Sequence, residues 1–343
     1  MSCRTDAPPT PVPEPLPVVA ERSDAGCTGP DAQALHDCVR ADRYEARLRQ
    51  VVGMRPPGSA HWRAVQQLCD ETFDALGFAV ERHAYATGIN VLGVRRGQRW
   101  PQQRVVVGAH YDHIPGCAGA DDNASGVAGV LEIARVLADV PLLRTLVVAC
   151  WDEEERGLLG SRAWAARARE RQEQIVVYFN FDAIGFVDRR PGTQRIPAGF
   201  SLLFPQQVAA LQAQQSRADF IAIITDAAAR PHAQAMADAA QRDGLPHTLL
   251  SIPTLVQRTH IAVDLQRSDH AALWDEGYPA IMITDTAEYR SGAYHCRQRP
   301  DTIDQIDVDF ATGVVAATAY ATALALNPPV DPDPPASAAS AGP

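Results

Sequence analysis

Short β-branched runs alternate with longer helical patterns along most of the chain, and this alternation limits the fold more than any other feature. The runs are Arg104–Ala109, Thr145–Cys150, Ile175–Phe181 and Tyr278–Thr284. Around them Ser125–Ala138, Leu158–Arg171, Pro205–Arg217 and Ala233–Asp243 read as helices. Upstream, Asp31–Val52 and His61–Leu76 also read as helices, and Phe78–Ala86 with Ile89–Val94 as a strand pair about Thr87-Gly88. Strands interleaved with helices predict an α/β fold: a three-layer α/β/α sandwich around a mostly parallel, mixed central sheet. One domain is expected over 31–327. The Pro-rich residues 1–30 and 328–343 read as a disordered leader and tail. Phe310–Leu326 carries no charge, but it is mostly Ala and Thr, so it reads as a core helix and not as a membrane span.

The chain has no lysine: all 31 basic residues are Arg. Schiff-base and PLP enzymes, P-loop NTPases and Ser-Lys hydrolases need one and are excluded. A formal charge of −10 argues against a nucleic-acid or anionic-membrane partner. None of the seven cysteines forms a C-x-x-C pair, which argues against a thiolate zinc site. Cys150 lies in an apolar run and Cys69 in a helical pattern, and both are expected to be buried and free; Cys27 with Cys38 and Cys117 with Cys296 are candidate disulfides if the protein is exported, the alternative being that all seven are reduced. Met1-Ser2-Cys3 followed by a Pro-rich stretch resembles the tether of a lipid-anchored export protein, so a periplasmic, lipid-anchored or secreted location is expected, although no signal segment is visible and a cytoplasmic disordered leader explains the same residues.

Acids and histidines gather where the strands end. The first run leads into His110-Tyr111-Asp112-His113, the second into Asp152-Glu153-Glu154-Glu155, the third into Asp182, and the last precedes Tyr294-His295. Gly119-Ala120-Asp121-Asp122-Asn123 precedes the helix from Ser125. In open α/β sheets the crevice beyond the carboxyl ends of the strands is where ligands bind. Carboxylates crowded there repel one another unless cations compensate. His and carboxylate ligands without thiolate suit Zn²⁺, and also Mn²⁺ or Co²⁺. Two such ions roughly 3.5–4 Å apart activate water near neutral pH and polarise a carbonyl. No H-E-x-x-H and no G-x-S-x-G occurs, so neither a thermolysin-like zinc site nor a serine-hydrolase elbow is expected.

The runs V-G-A-H-Y-D-H, G-A-D-D-N-A-S-G, D-E-E-E-R-G-L-L-G-S, N-F-D-A-I-G, S-D-H-A-A-L-W-D-E-G-Y-P-A and S-G-A-Y-H with a following D-T resemble, in order and spacing, the M28 metallopeptidases of the aminopeptidase Y and bacterial leucyl aminopeptidase group. The likeness spans about Glu45 to Asp307 and includes Arg55-Pro56-Pro57-Gly58-Ser59. It implies a zinc-exopeptidase-like fold, two Zn²⁺ per chain and a peptide substrate with a free N-terminus. His110 and Asp182 would bind one metal, Glu155 and His295 the other, and Asp122 would bridge both. Glu154 would be the general base, Asp112 would orient His110, and Tyr294 would donate to the oxyanion. In the family the Asp-Thr pair follows the histidine after three residues; here five intervene before Asp301-Thr302, so the loop is two residues longer.

Blander roles stand beside these. Asp121 suits a helix N-terminus. His113 and His270 read as packing or positioning groups, with lining of the substrate pocket as the alternative, and stay outside the ligand set. Asn123-Ala124-Ser125 matches a glycosylation sequon by coincidence. An apolar pocket for the substrate side chain is expected from Ile184–Phe200 and Thr248–Ile261. The same scaffold also serves glutaminyl cyclases, carboxypeptidases and non-catalytic domains. The D-N-A-S-G run favours a peptidase over a cyclase, and the intact ligand set favours an enzyme.

Overall fold

The computed structural model describes residues 27–259 and 263–329. The expected leader and tail lie almost wholly outside the described residues. Eight strands form one sheet: β1 (Ala79–Ala84), β2 (Ile89–Arg95), β3 (Trp100–His110), β4 (Arg144–Trp151), β5 (Gln174–Phe181), β6 (Ile221–Thr225), β7 (His247–Ser251) and β8 (Ala280–Thr284). Their order is β1-β2-β4-β3-β5-β8-β6-β7. The central strands β4, β3, β5 and β8 are mutually parallel, and the antiparallel pairs are β1/β2, β2/β4 and β6/β8. The sheet is mixed with a parallel centre, as expected.

Alternation along the strands creates the layers. Val105 and Val107 face the helices Ala41–Val51, Gly126–Val136 and Val308–Leu326, whereas Val106 and Val147 face Trp164 and Leu273 on the other side. Each such buried aliphatic side chain contributes roughly 1.5–3 kcal/mol relative to exposure. Val308–Leu326 is long and apolar enough to cross a membrane, but it packs against Arg230–Arg242 and Ala32–Asp37 and is a core helix.

Three expectations change. The Asp31–Val52 helix is two helices, Ala32–Asp37 and Ala41–Val51. Strands β6 and β7 were not expected: at five residues each they are too short for a period that separates strand from helix. Cys69 and Cys150 are not free. Helix Ala60–Ala75 packs its Cys69 on the sheet face that carries Cys150, and the two form a disulfide with Cα atoms 6.7 Å apart. The two candidate pairs, Cys27–Cys38 and Cys117–Cys296, are disulfides. Three disulfides suit an oxidising compartment.

Candidate metal centre

The site lies where β3 is flanked by β4 and β5, beyond their carboxyl ends. His110 is the last residue of β3 and is fully buried. Its Nδ1 lies 3.3 Å from the Asp112 carbonyl oxygen and 3.6 Å from the Asp112 carboxylate. That carboxylate also accepts the Glu154 and Glu155 backbone N–H groups at 3.0 and 3.3 Å. Asp112 therefore ties the end of β3 to the turn after β4.

The acidic run after β4 divides in two. Asp152 accepts from the Trp62 indole and the Ile89 N–H, and Glu153 accepts from Thr87 and Arg156. These two anchor the turn. Glu153, Gly157 and Leu158 adopt left-handed backbone, and the bend between them turns Glu154 and Glu155 toward the site. Glu154 is buried, and that burial raises its carboxyl well above the usual range.

Asp122 sits in a segment, Ala120–Ser125, that is held from several sides. The Asp301 carboxylate accepts the Asp121 and Asp122 N–H groups at 3.1 Å. The fully buried Arg55 donates to the carbonyls of Ala118 and Gly119 at 2.7 Å and of Asp122 at 3.3 Å. The Asn123 amide nitrogen donates to the Phe181 carbonyl at the end of β5, so the nitrogen a glycan would need is buried and occupied. Asp121 accepts the Gly185 N–H, which turns it away from Asp122's partners.

The geometry around Asp122 is the centre of the site. Its Oδ1 lies 3.3 Å from His110 Nε2, and its Oδ2 lies 3.1 Å from His295 Nε2. His110 Nε2 is also 4.0 Å from Asp182 Oδ2, and His295 Nε2 is 3.1 Å from Glu155 Oε2. The five expected ligands thus converge, with one carboxylate oxygen of Asp122 toward each side. Tyr294 stacks on the His295 ring at 4.0 Å, and Arg267 donates to its hydroxyl at 3.3 Å.

The longer loop after His295 is closed by cross-links. Cys296 is bonded to Cys117, its sulfur accepts the Asp301 N–H, and Asp301 reaches back to Asp122.

With no cation bound, the carboxylates and imidazoles of the site compensate one another through protons. Burial would raise Asp122, but the His110 and His295 imidazoles reverse this and hold it well below the usual carboxylate range. Burial would lower His295, but the carboxylates of Asp122 and Glu155 raise it to about 10. Burial pushes Asp182 up to about 7. Protons are drawn to where cations would sit. His110 Nε2, His295 Nε2 and Glu155 Oε1 are buried without a hydrogen-bond partner, as expected of atoms whose lone pairs serve a metal. His110, Glu154 and Asp182 offer one set of convergent donor atoms, and His113, Asp122 and Glu155 another. The residues present fit a metal pair.

Beside Asp182 and Tyr294 opens a cavity of about 150 Å³ walled by Phe200, Phe204, Val208, Phe220, Leu250 and Met282. Of the expected pocket segments, 194–197 with Phe200 and Thr248 with Leu250 line it, and His260 and Ile261 lie outside the described residues; further walls come from 204–224, His247 and 264–294. His270 lies apart, its Nε2 beside the Leu265 carbonyl and its ring against Trp274.

The sequence reading missed Arg55, Asp269, Asp301 and the position of His113. Arg55, Asp269 and Asp301 lie in the quoted motifs R-P-P-G-S, S-D-H and D-T, which were their only signal. Asp269 is a fully buried carboxyl that burial raises to about 6.

The profile described as Peptidase family M28 matches residues 90–322. The chain is 34% identical over 228 residues to the uncharacterized protein YfbL of Escherichia coli, covering 62% of this chain and 64% of that protein. It is 41% identical over 96 residues to an aminopeptidase of Pseudomonas aeruginosa, covering 28% of this chain and 18% of that protein. The LapA aminopeptidase of Legionella pneumophila shares the fold with a TM-score of 0.62 at 17% identity, over 86% of this chain and 74% of that one. The chain spans less than two thirds of the length of these sequence relatives.

Proposed function

Because the chain belongs to peptidase family M28, we propose that it is an aminopeptidase that holds two metal ions, zinc being the first choice, and removes N-terminal residues from peptides. The observation that carries this reading is the split carboxylate of Asp122, with one oxygen toward His110 and the other toward His295. On this reading His110, Asp122 and Asp182 hold one ion, and Asp122, Glu155 and His295 the other. When bound, the pair supplies Lewis acidity that polarises the scissile carbonyl and acidifies the attacking water.

The chain's own groups do the rest. Glu154 takes a proton from the water and passes it to the leaving amine; burial raises its carboxyl, which makes it a stronger base. The Tyr294 hydroxyl donates to the developing oxyanion, with Arg267 beside it. Asp112 keeps His110 turned toward its ion while anchoring the backbone of Glu154. The apolar cavity beside Asp182 receives the side chain of the N-terminal residue. We also read residues 31–327 as one catalytic domain, working outside the cytoplasm as the three disulfides suggest.

The test is an assay of the metal-reconstituted protein on leucine p-nitroanilide and other aminoacyl anilides, with and without a chelator. Chelator-sensitive release of anilide supports the reading. Cyclisation of glutamine β-naphthylamide with no anilide hydrolysis would replace it with a glutaminyl cyclase.

A further inference from the structure

The ligand set above leaves out a buried histidine that stands beside it. His113 is fully buried, and neither ring nitrogen has a hydrogen-bond partner. Its Nδ1 lies 2.8 Å from Glu155 Oε1. The ring is fixed in place: its backbone N–H donates to the Arg55 carbonyl at 3.2 Å, and a Cβ on Gly119 would come within 2.5 Å of its Cδ2. It meets the His295 ring edge-on with centroids 5.8 Å apart.

We propose that His113 is a further ligand of the second ion, which is then held by His113, Asp122, Glu155 and His295. This rests on the two-ion reading above. Three imidazole nitrogens here share one condition. His110 Nε2, His295 Nε2 and His113 Nδ1 are each buried, each lacks a hydrogen bond, and each faces a carboxylate oxygen at 3.3, 3.1 and 2.8 Å respectively. An imidazole nitrogen this close to a carboxylate oxygen needs positive charge between the two, and a cation shared by both supplies it. The two histidines on this side use different oxygens of Glu155: His295 faces Oε2 and His113 faces Oε1. One nitrogen of His113 also lies within 4.8 Å of oxygens of both Asp122 and Glu155.

The consequence is an unequal pair. The first ion has one imidazole and two carboxylates, the second two imidazoles and two carboxylates. A nitrogen-richer set favours Zn²⁺ or Co²⁺ over Mn²⁺ or Mg²⁺. The second ion is therefore the tighter and the more selective of the two.

The direct test uses the intact wild-type protein with ¹⁵N-labelled histidine, loaded with ¹¹³Cd. Three histidines showing ¹¹³Cd–¹⁵N coupling are expected, and two would overturn the proposal. A Co²⁺ titration of variants adds a second readout. His113→Ala should weaken one of two Co²⁺ equivalents at least about tenfold and change the visible spectrum, leaving the other equivalent unchanged. If His113→Asn keeps wild-type affinity while His113→Ala does not, a hydrogen bond to Glu155 suffices and ligation is refuted. If the wild-type protein takes up no Co²⁺ or Cd²⁺, the two-ion reading itself falls.

Discussion

The two halves of the site are made from different material. His110 and Asp182 stand at the ends of β3 and β5, neighbouring strands of the parallel centre, and His110 is wholly buried. Glu155 and His295 stand on one-turn segments, Glu154–Arg156 and Tyr294–Cys296, bounded or interrupted by left-handed residues, and a fifth of the His295 side chain is exposed. A sheet fixes direction through its ladder of hydrogen bonds, so the first half needs little further support. The second half has no ladder. It is positioned by the Asp112 carboxylate on the turn of Glu155, by Asp301 on the turn of Asp122, and by the Cys117–Cys296 disulfide behind His295. Precision on turns is obtained with cross-links, and it can be removed with them.

The largest effect belongs to neither half. Glu154→Ala should lower kcat by about 10²–10⁴-fold while metal analysis still finds both ions. Near-normal turnover would remove Glu154 from the role of base. The ligand variants then separate the halves. His110→Ala should weaken the first ion and His295→Ala the second, each by at least about 100-fold, as read by calorimetric titration. Loss of both ions from either variant would mean that the halves are not independent.

The cross-link comes next. Replacing Cys117 and Cys296 by Ser should lower affinity for the second ion by about tenfold while sparing the first, an effect in the range of lost supporting interactions. The same double variant should cost about 2.5 kcal/mol more stability than loss of Cys27–Cys38, because the bridge spans 179 residues and not 11. Thermal unfolding of the metal-free proteins measures this. Equal Tm shifts would contradict the loop-closure argument.

The smallest effect is graded. His295 is raised to about 10 by Asp122 and Glu155, so an ion entering there must displace a proton. Affinity should rise up to about tenfold per pH unit and level off near pH 10. In the metal-free protein the sign is opposite. A folded-state pKa above the unfolded value of about 6.5 gives stability that is complete below about pH 6.5 and is lost as pH rises through about 10. Calorimetry in buffers of different ionisation enthalpy reads the released proton directly.

The two halves also differ in how far the sequence exposed them. The β-branched runs ending in His110 and Asp182 mark both residues as strand ends without any relative to consult. For Glu155 and His295 the run of acids and the Tyr-His pair are visible, but only the ordered motifs single out these residues from their neighbours. Local pattern cannot tell that Asp152 and Glu153 turn to Trp62 and Thr87 while Glu154 and Glu155 turn inward; that depends on a helix and a hairpin turn 90 and 66 residues earlier. The same holds for Cys69 with Cys150, which meet only when helix and sheet pack, and for Arg55 and Asp301, whose partners are backbone groups far along the chain. His113 sits three residues past His110 and reads as bland until Glu155 is folded against it. Strands β6 and β7 escaped because their runs are too short to show a period.

The central claim is that Asp122 divides its carboxylate between two ions. Anomalous diffraction at the zinc edge from crystals of the zinc-loaded protein tests it. The account predicts two peaks flanking Asp122, one beside His110 and Asp182 and one beside Glu155 and His295. A single peak, or a pair that leaves Asp122 to one side, would contradict it.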